Sequence, residues 1–221
     1  MKRSFADVAS GLVVLAGFVL AAAMYRVLPD PMPSHFGMDG RPDDFLPKFW
    51  GVFLFPLVML AVTLLLAVLP RISPRGFEME RFAGTWKILR LTMLAFLLFV
   101  QILVLDAARS GRPLSNRVVI GAVGLLFVII GNFLGKLTRN FFAGIRTPWT
   151  LANEEVWYRT HRLAGKLFVA AGLLIAASGF LTFTPKVLIG MAGAIGAAAL
   201  IPVVYSYFVY RKLEQRPRTS A

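Results

Sequence analysis

The chain has 221 residues, of which 57% are hydrophobic and only 16% are charged, and its net charge is +13. This composition excludes an ordinary soluble globular domain, in which about 25% of residues are charged. The absence of cysteine excludes disulfides, thiolate metal ligands and a cysteine nucleophile. Because the basic residues lie at the ends of apolar runs, we attribute the charge to membrane anchoring and expect no direct contact with nucleic acid.

Six apolar runs follow one another along the chain, at residues 6–28, 49–69, 86–105, 118–134, 163–183 and 187–209. Each can cross a ~30 Å hydrocarbon core as a helix. Backbone groups in lipid must be hydrogen-bonded within their own segment, and the runs lack the alternation of barrel strands. The sequence therefore predicts an all-α polytopic membrane protein with six transmembrane helices. We expect the first run to remain as an uncleaved span, with a cleaved signal peptide as the alternative.

The distribution of Lys and Arg predicts the orientation of these spans. With both termini in the cytoplasm, 16 basic residues lie inside. Two further residues, Arg26 and Arg90, lie near helix ends and are expected to snorkel to the interface. The positive-inside rule thus predicts an N-in, C-in protein. The opposite side then carries only Arg41, Lys48, Arg109, Arg112, Arg117 and Lys186.

The sixth run is rich in small residues, with glycines at positions 190, 193 and 196. Small residues on one face of a transmembrane helix permit close helix contact. We therefore expect this helix to pack tightly within the monomer, with dimerisation as the alternative.

Residues 29–48 form a polar stretch, PDPMPSHFGMDGRPDDFLPK, between the first two runs. Its prolines and glycines exclude a helix through most of its length and predict an ordered loop on the outer side. The loop is acidic, and its one titratable imidazole is surrounded in sequence by carboxylates: His35 with Asp30, Asp39, Asp43 and Asp44. It is either a receptor surface for a cationic peptide or a metal ion, or simply a solvated acidic loop.

Residues 140–166, NFFAGIRTPWTLANEEVWYRTHRLAGK, form the longest polar-rich interval of the chain. Thr150 or Asn153 is suited to cap a helix that begins near the two glutamates at positions 154 and 155. Glu155 and Arg159 are spaced as a favourable i, i+4 ion pair. The charge distribution predicts that this interval faces the cytoplasm.

Three interpretations of this interval remain open from its residues alone. Glu154 and His161 could belong to a metal site, or a glutamate and His161 to an acid–base site. The third interpretation is structural: an interfacial helix with Trp149, Trp157 and Tyr158 at the level of the lipid headgroups.

A metal site would have to draw its ligands from His35, His161, Glu154 and Glu155, since the chain has only two histidines. The charge distribution predicts opposite sides of the bilayer for the two histidines, which argues against one shared site. We therefore expect no cofactor and no enzymatic activity. The alternative is a metal-dependent, peptidase-like membrane enzyme or a transporter that uses zinc or another divalent ion at these residues.

Both polar stretches resemble a known family of bacterial membrane proteins. Residues 29–48 resemble its N-terminal proline-rich loop with His-Phe, a turn that ends in glycine, and acids followed by lysine. The second motif, GIRTPWT followed by VW and THR, resembles the signature of the SdpI family of immunity proteins. It is found here at Asn140, residues 144–150, residues 156–157 and residues 160–162.

The resemblance implies a two-helix module at residues 1–70 with the outer loop 29–48, and a four-helix module at residues 71–221 with the signature segment 136–166. It implies a multi-pass protein of the bacterial inner membrane that protects the cell from a secreted peptide toxin. It further implies that a cytoplasmic transcriptional repressor is held at the membrane. The implied functional residues are Asn140, Arg146, Thr147, Trp149, Thr150, Glu155, Trp157, His161 and Arg162 inside, and His35, Asp39 and Asp43 outside.

Overall fold

Six long α-helices account for the six apolar runs in the computed structural model, which describes residues 5–77, 79–181 and 184–215. All six are long and apolar enough to cross a membrane, which confirms the predicted all-α polytopic fold. They are α1 (Phe5–Met24), α2 (Lys48–Val68), α3 (Ala83–Ser110), α4 (Asn116–Leu134), α6 (Glu154–Ser178) and α7 (Pro185–Glu214). A short helix, α5 (Pro148–Ala152), precedes α6.

The polar stretch between α1 and α2 contains an antiparallel β-hairpin where the sequence predicted only an ordered loop. Strand β1 (Met32–Phe36) pairs with β2 (Pro42–Leu46). The hairpin tip rests on the connection between α3 and α4, where the backbone N–H of Leu114 donates to the carbonyl of Gly40 at 2.8 Å. Asn116 Nδ2 donates to the carbonyl of Met38 at 2.5 Å. The hairpin is therefore stabilised by hydrogen bonds from the α3–α4 connection, which is distant in sequence.

Helices α4 and α6 touch through two pairs of glycines. A Cβ on Gly131 would lie 2.7 Å from the carbonyl oxygen of Gly165, and one on Gly124 would lie 2.6 Å from that of Gly172. Such distances leave no room for any side chain. Because each pair is separated from the other by seven residues, about two helical turns, the contact extends along one face of both antiparallel helices.

The glycines of α7 do not make the close contact that the sequence suggested. A Cβ on Gly190, Gly193 or Gly196 would meet no atom of the described chain within 4 Å. Helix α7 instead buries residues that follow these glycines, among them Ala198 and Ser206. The expectation of tight packing at the α7 glycines is therefore wrong for the monomer, because the packed surface lies nearer the end of the helix.

Arg90 is buried rather than snorkelled, which corrects a second expectation. The residue is 7% exposed, and its Nη2 donates to Asp7 Oδ1 at 2.6 Å. Its Nε donates to Ser10 Oγ at 3.2 Å, and Lys87 Nζ donates to Asp7 Oδ2 at 3.0 Å. A charge at this depth needs an ionic partner, and Asp7 on α1 supplies one to α3.

The connections lie at two ends of the bundle, which we call the hairpin face and the signature face. The hairpin face carries the β-hairpin, the α3–α4 connection and the described part of the α6–α7 connection. The signature face carries residues 69–82 and 135–153. Four cations that support the predicted orientation, Lys2, Arg3, Arg216 and Arg218, lie outside the described residues, as do Thr182 and Phe183. The N-in, C-in orientation and the module boundary at residue 70 stay predictions.

Candidate functional site

Asn140 organises the connection between α4 and α5 on the signature face. It is fully buried, and its Oδ1 accepts from the backbone N–H groups of Phe142 and Ala143 at 2.9 and 2.7 Å. Its Nδ2 donates to the carbonyls of Thr138 and Ala143 at 3.0 and 3.1 Å. Because both ends of the amide are used, an aspartate could not replace it. Asn140 therefore shapes the loop and has no donor left for a ligand.

His161 on α6 fixes the next part of this loop. The backbone N–H of Ile145 donates to its Nε2 at 2.9 Å, so this nitrogen carries no proton. The proton is then on Nδ1, which donates to the carbonyl of Trp157 at 2.9 Å. The imidazole also stacks on the Trp157 indole, with ring centroids 3.9 Å apart. His161 thus holds the loop as a neutral, buried hydrogen-bonding group.

Gly144 is required by this arrangement for two reasons. Its φ of +101° is a backbone conformation that residues with a side chain rarely adopt. A Cβ at this position would also collide with His161 Nε2. The glycine of the signature therefore allows the loop backbone to approach the imidazole closely enough for the bond from Ile145.

Thr147 and Thr150 form a reciprocal capping box around the first turn of α5. The Thr147 hydroxyl accepts from the N–H of Thr150 at 3.2 Å, and the Thr150 hydroxyl accepts from the N–H of Thr147 at 2.9 Å. Thr147 Oγ1 also lies 3.1 Å from Ser206 Oγ on α7. The Ser206 hydroxyl itself donates to the carbonyl of Val203 at 2.6 Å. The cap of α5 is therefore joined to the last span.

The two tryptophans of the segment anchor it in different ways. Trp157 is 2% exposed, and its Nε1 donates to the carbonyl of Leu137 at 2.7 Å. It belongs to an apolar cluster with Trp86 of α3. Trp149 makes an edge contact with Tyr207 of α7 at 5.2 Å between ring centroids. Together these contacts link the signature segment to α3 and α7.

Arg146, Glu155 and Arg162 are exposed on the signature face, and Arg159 is half-buried. Arg146 donates through Nη1 to the carbonyl of Phe141 at 2.9 Å. Arg162 donates to the hydroxyl of Tyr158 at 3.0 Å. The predicted ion pair is present, with Arg159 Nε 2.6 Å from Glu155 Oε1. These side chains can reach a partner, whereas the buried residues cannot.

The cap of α6 is Asn153, one of the two candidates. Its Oδ1 accepts from the backbone N–H groups of Glu155 and Val156 at 2.8 and 3.1 Å. The helix then continues without a break from Glu154 to Ser178. The interfacial helix and the fifth span of the sequence interpretation are therefore one element.

On the hairpin face, His35 and Asp43 form a pair across the two strands. His35 Nδ1 lies 2.5 Å from Asp43 Oδ1, and the two side chains are 70% and 52% exposed. Asp39 Oδ1 accepts from the backbone N–H of Arg41 at 3.0 Å. Asp39 and Arg117 also line a cleft of about 300 Å³ between the hairpin tip and the end of α6. This face offers exposed acids beside a small polar cleft.

The structure does not bring the four candidate metal ligands together. His35 lies on the hairpin face and His161 at the start of α6, and the 19-residue α4 between the two faces is about 28 Å long. Within the described chain, no group of three or more His, Asp or Glu side chains could hold a metal ion. Both ring nitrogens of His161 are engaged by the protein, and Glu154 lies 3.8 Å from Arg139.

Sequence reasoning missed two kinds of functional contact. Ser206, whose hydroxyl lies 3.1 Å from that of Thr147, is 59 residues away from it in sequence and has no local signal. The glycine pairs between α4 and α6 did carry a signal, because Gly124 and Gly131 repeat the spacing of Gly165 and Gly172. Matching seven-residue intervals in two neighbouring helices could have identified this contact.

The fold and the site define a class: a six-span integral membrane protein whose signature segment is locked between its last spans. Residues 136–206 match the model of the SdpI/YfhL protein family, and residues 12–60 match a domain of unknown function, DUF1648. These matches confirm the resemblance to the SdpI family that the two polar stretches indicated.

One relative is similar to this chain over almost its whole length. It is "Immunity protein SdpI" of Bacillus subtilis (strain 168), 29% identical over 214 residues, which are 96% of this chain and 98% of that protein. No solved structure matches the chain.

Proposed function

We propose that this protein is a membrane immunity protein that protects the cell from a secreted peptide toxin. The observation that carries the proposal is the similarity to Immunity protein SdpI, which extends over 96% of this chain and includes both polar stretches. The inner, or cytoplasmic, membrane of a bacterium is the location that such a role requires.

The hairpin face is the surface proposed to meet the toxin. Its exposed Asp39 and Asp43 give it acidic groups, and complementary charge accelerates the encounter with a cationic peptide. The hairpin is braced by the α3–α4 connection, so a peptide bound there would press on both modules of the chain. The cleft beside Asp39 provides space for one side chain of the peptide.

The signature face is proposed to carry the signal to a cytoplasmic repressor. Arg146, Glu155 and Arg162 are exposed there on a rigid frame made by Asn140 and His161. Because Thr147 and Trp149 contact α7, a shift of the last span would move this surface. If α7 has two positions, a change in their populations on toxin binding would alter the surface that binds the repressor.

Survival under toxin challenge tests the protective role. A Bacillus subtilis strain that lacks its own SdpI would express this chain and be exposed to a panel of secreted cationic peptides, including the spent medium of its parent strain. We expect survival against at least one peptide. Absence of protection against every member, at normal expression in the membrane, would contradict the proposal.

Two matched pairs of variants locate the function. We expect Asp43→Asn to lower protection at least about tenfold, whereas Asp106→Asn, which removes an exposed acid outside the hairpin on the same face, should not. Arg146→Ala should weaken protection or repressor retention, whereas Arg211→Ala should leave both intact. Equal effects within either pair would show that net charge, and not the proposed surface, matters.

A further inference from the structure

We propose that the groove between α4 and α6 on the signature face is a binding site for one anionic phospholipid. The groove has a volume of about 420 Å³. Its polar end is formed by Asn132, Arg162 and Lys166, and its deeper part by Val169, Ala170 and Leu173. The groove shares Arg162 with the surface proposed above for the repressor, but its ligand is a lipid, so the inference goes beyond the proposed function.

The groove exists because its floor has no side chains. Gly131 and Gly165 meet backbone to backbone, with a Cβ on either one placed 2.7 Å from the carbonyl oxygen of the other. This contact brings the two helices close together and leaves a trough along the line where they meet. An apolar trough at membrane depth cannot be filled with water without cost, so a hydrocarbon chain is its natural occupant.

The polar end of the groove has the chemistry of a phosphodiester site. Arg162 and Lys166 lie one helical turn apart on the same face of α6, and both are exposed. Arg162 spends one of its five donors on the Tyr158 hydroxyl. Within the described residues neither cation forms an ion pair with a carboxylate, and no acidic residue lines the groove. Two uncompensated cations and one amide suit a single anionic headgroup.

The dimensions favour a lipid over a free anion or a protein partner. From Arg162 to Leu173 the helix rises about 16 Å, which is half of the ~30 Å hydrocarbon core, the depth of one leaflet. Inorganic phosphate would use only the polar end. A cytoplasmic protein could not follow the groove to the depth of Leu173. A phospholipid uses both parts, and the predicted orientation places them in the cytoplasmic leaflet, where anionic lipids are enriched.

The test compares two lipids with identical acyl chains on the purified full chain in neutral detergent. Phosphatidylglycerol and phosphatidylcholine would be titrated while bound lipid is counted by native mass spectrometry and the melting temperature is recorded. We expect one phosphatidylglycerol to bind preferentially and to raise the melting temperature. The double variant R162Q/K166Q should bind it roughly 20- to 30-fold more weakly, since each cation contributes about fivefold.

Two control variants separate the groove from general electrostatics. R211Q/K212Q removes an exposed basic pair at the end of α7, away from the groove, and should keep the preference. Ala170→Trp fills the apolar part and should weaken lipid binding while both cations remain. Four outcomes would overturn the proposal: equal binding of the two lipids, equal losses in both double variants, an unchanged Ala170→Trp variant, or the same stabilisation by inorganic phosphate.

Discussion

At the scale of single residues, the signature motif contains two kinds of polar side chain: buried ones that hold the loop in shape, and exposed ones that can contact a partner. Asn140, Thr150 and His161 are buried and spend their polar atoms on the loop backbone. Arg146 and Arg162 are exposed and retain unused donors. A buried polar residue in this motif is therefore expected to affect folding, whereas an exposed one should affect partner binding without loss of stability.

The contact between Gly144 and His161 gives a prediction at this scale. Gly144→Ala should lower the melting temperature in detergent by about 4–8 °C, because backbone strain and the collision with the imidazole together cost roughly 2 kcal/mol. Gly111→Ala serves as the control, since Gly111 also has a positive φ, of +67°, but no atom of the described chain near its Cβ.

A double variant makes the same prediction sharper. His161→Ala alone leaves the N–H of Ile145 without its acceptor and should also destabilise the protein. In the combined variant the added methyl group has no imidazole to collide with. The loss of stability of the double variant should therefore be smaller than the sum of the losses in the two single variants. Strictly additive losses, or a Gly144→Ala effect no larger than that of Gly111→Ala, would show that the two residues do not constrain each other.

At the scale of elements, two glycine-rich helices behave differently. Gly131→Ala and Gly165→Ala each place a methyl group 2.7 Å from a carbonyl oxygen and should lower the melting temperature. Gly193→Ala meets nothing and should leave stability unchanged or raise it, because alanine is favoured over glycine in a helix by about 1 kcal/mol. The comparison uses purified proteins in one detergent. A loss in Gly193→Ala as large as that in Gly131→Ala would contradict this difference in packing.

The same helices show what could be predicted from the sequence. Hydropathy identified all six spans because lipid imposes the length and the apolar character of each helix. It could not tell which glycines make contacts, since those of α4 and α7 are chemically alike and only tertiary packing distinguishes them. The β-hairpin was missed because its sequence is rich in proline and its support comes from Leu114 and Asn116, about 75 residues away.

The sequence predicted which residues belong to the candidate site, but not which hydrogen bonds hold them in place. The Asn153 cap and the Glu155–Arg159 pair follow from local spacing, which can be read from the sequence. The role of His161 depends on a loop residue 16 positions away, and the partner of Thr147 lies on another helix. Non-local hydrogen bonds of this kind leave no periodic trace in the chain.

At the scale of the whole molecule, the two ends of the bundle have different characters. The β-hairpin presents exposed aspartates beside the arginines of the α3–α4 connection, and the signature face presents Arg146 and Arg162 around a rigid loop. The ion pair between Asp7 and Arg90 binds the first span to the third, so the first helix is an integral part of the bundle. The function proposed above, peptide binding on one face and signalling on the other, requires both ends to belong to one connected structure.

The orientation of that structure is the final prediction. Because the chain has no cysteine, Arg41→Cys and Glu154→Cys each introduce a single thiol, at side chains that are 77% and 72% exposed on opposite faces. A membrane-impermeant maleimide should label position 41 in intact cells and position 154 only after permeabilisation, since the positive-inside rule places the signature face in the cytoplasm. The reverse pattern would invert the orientation. Labelling of both positions from the same side would contradict the six-span fold, because α2, α3 and α4 separate them.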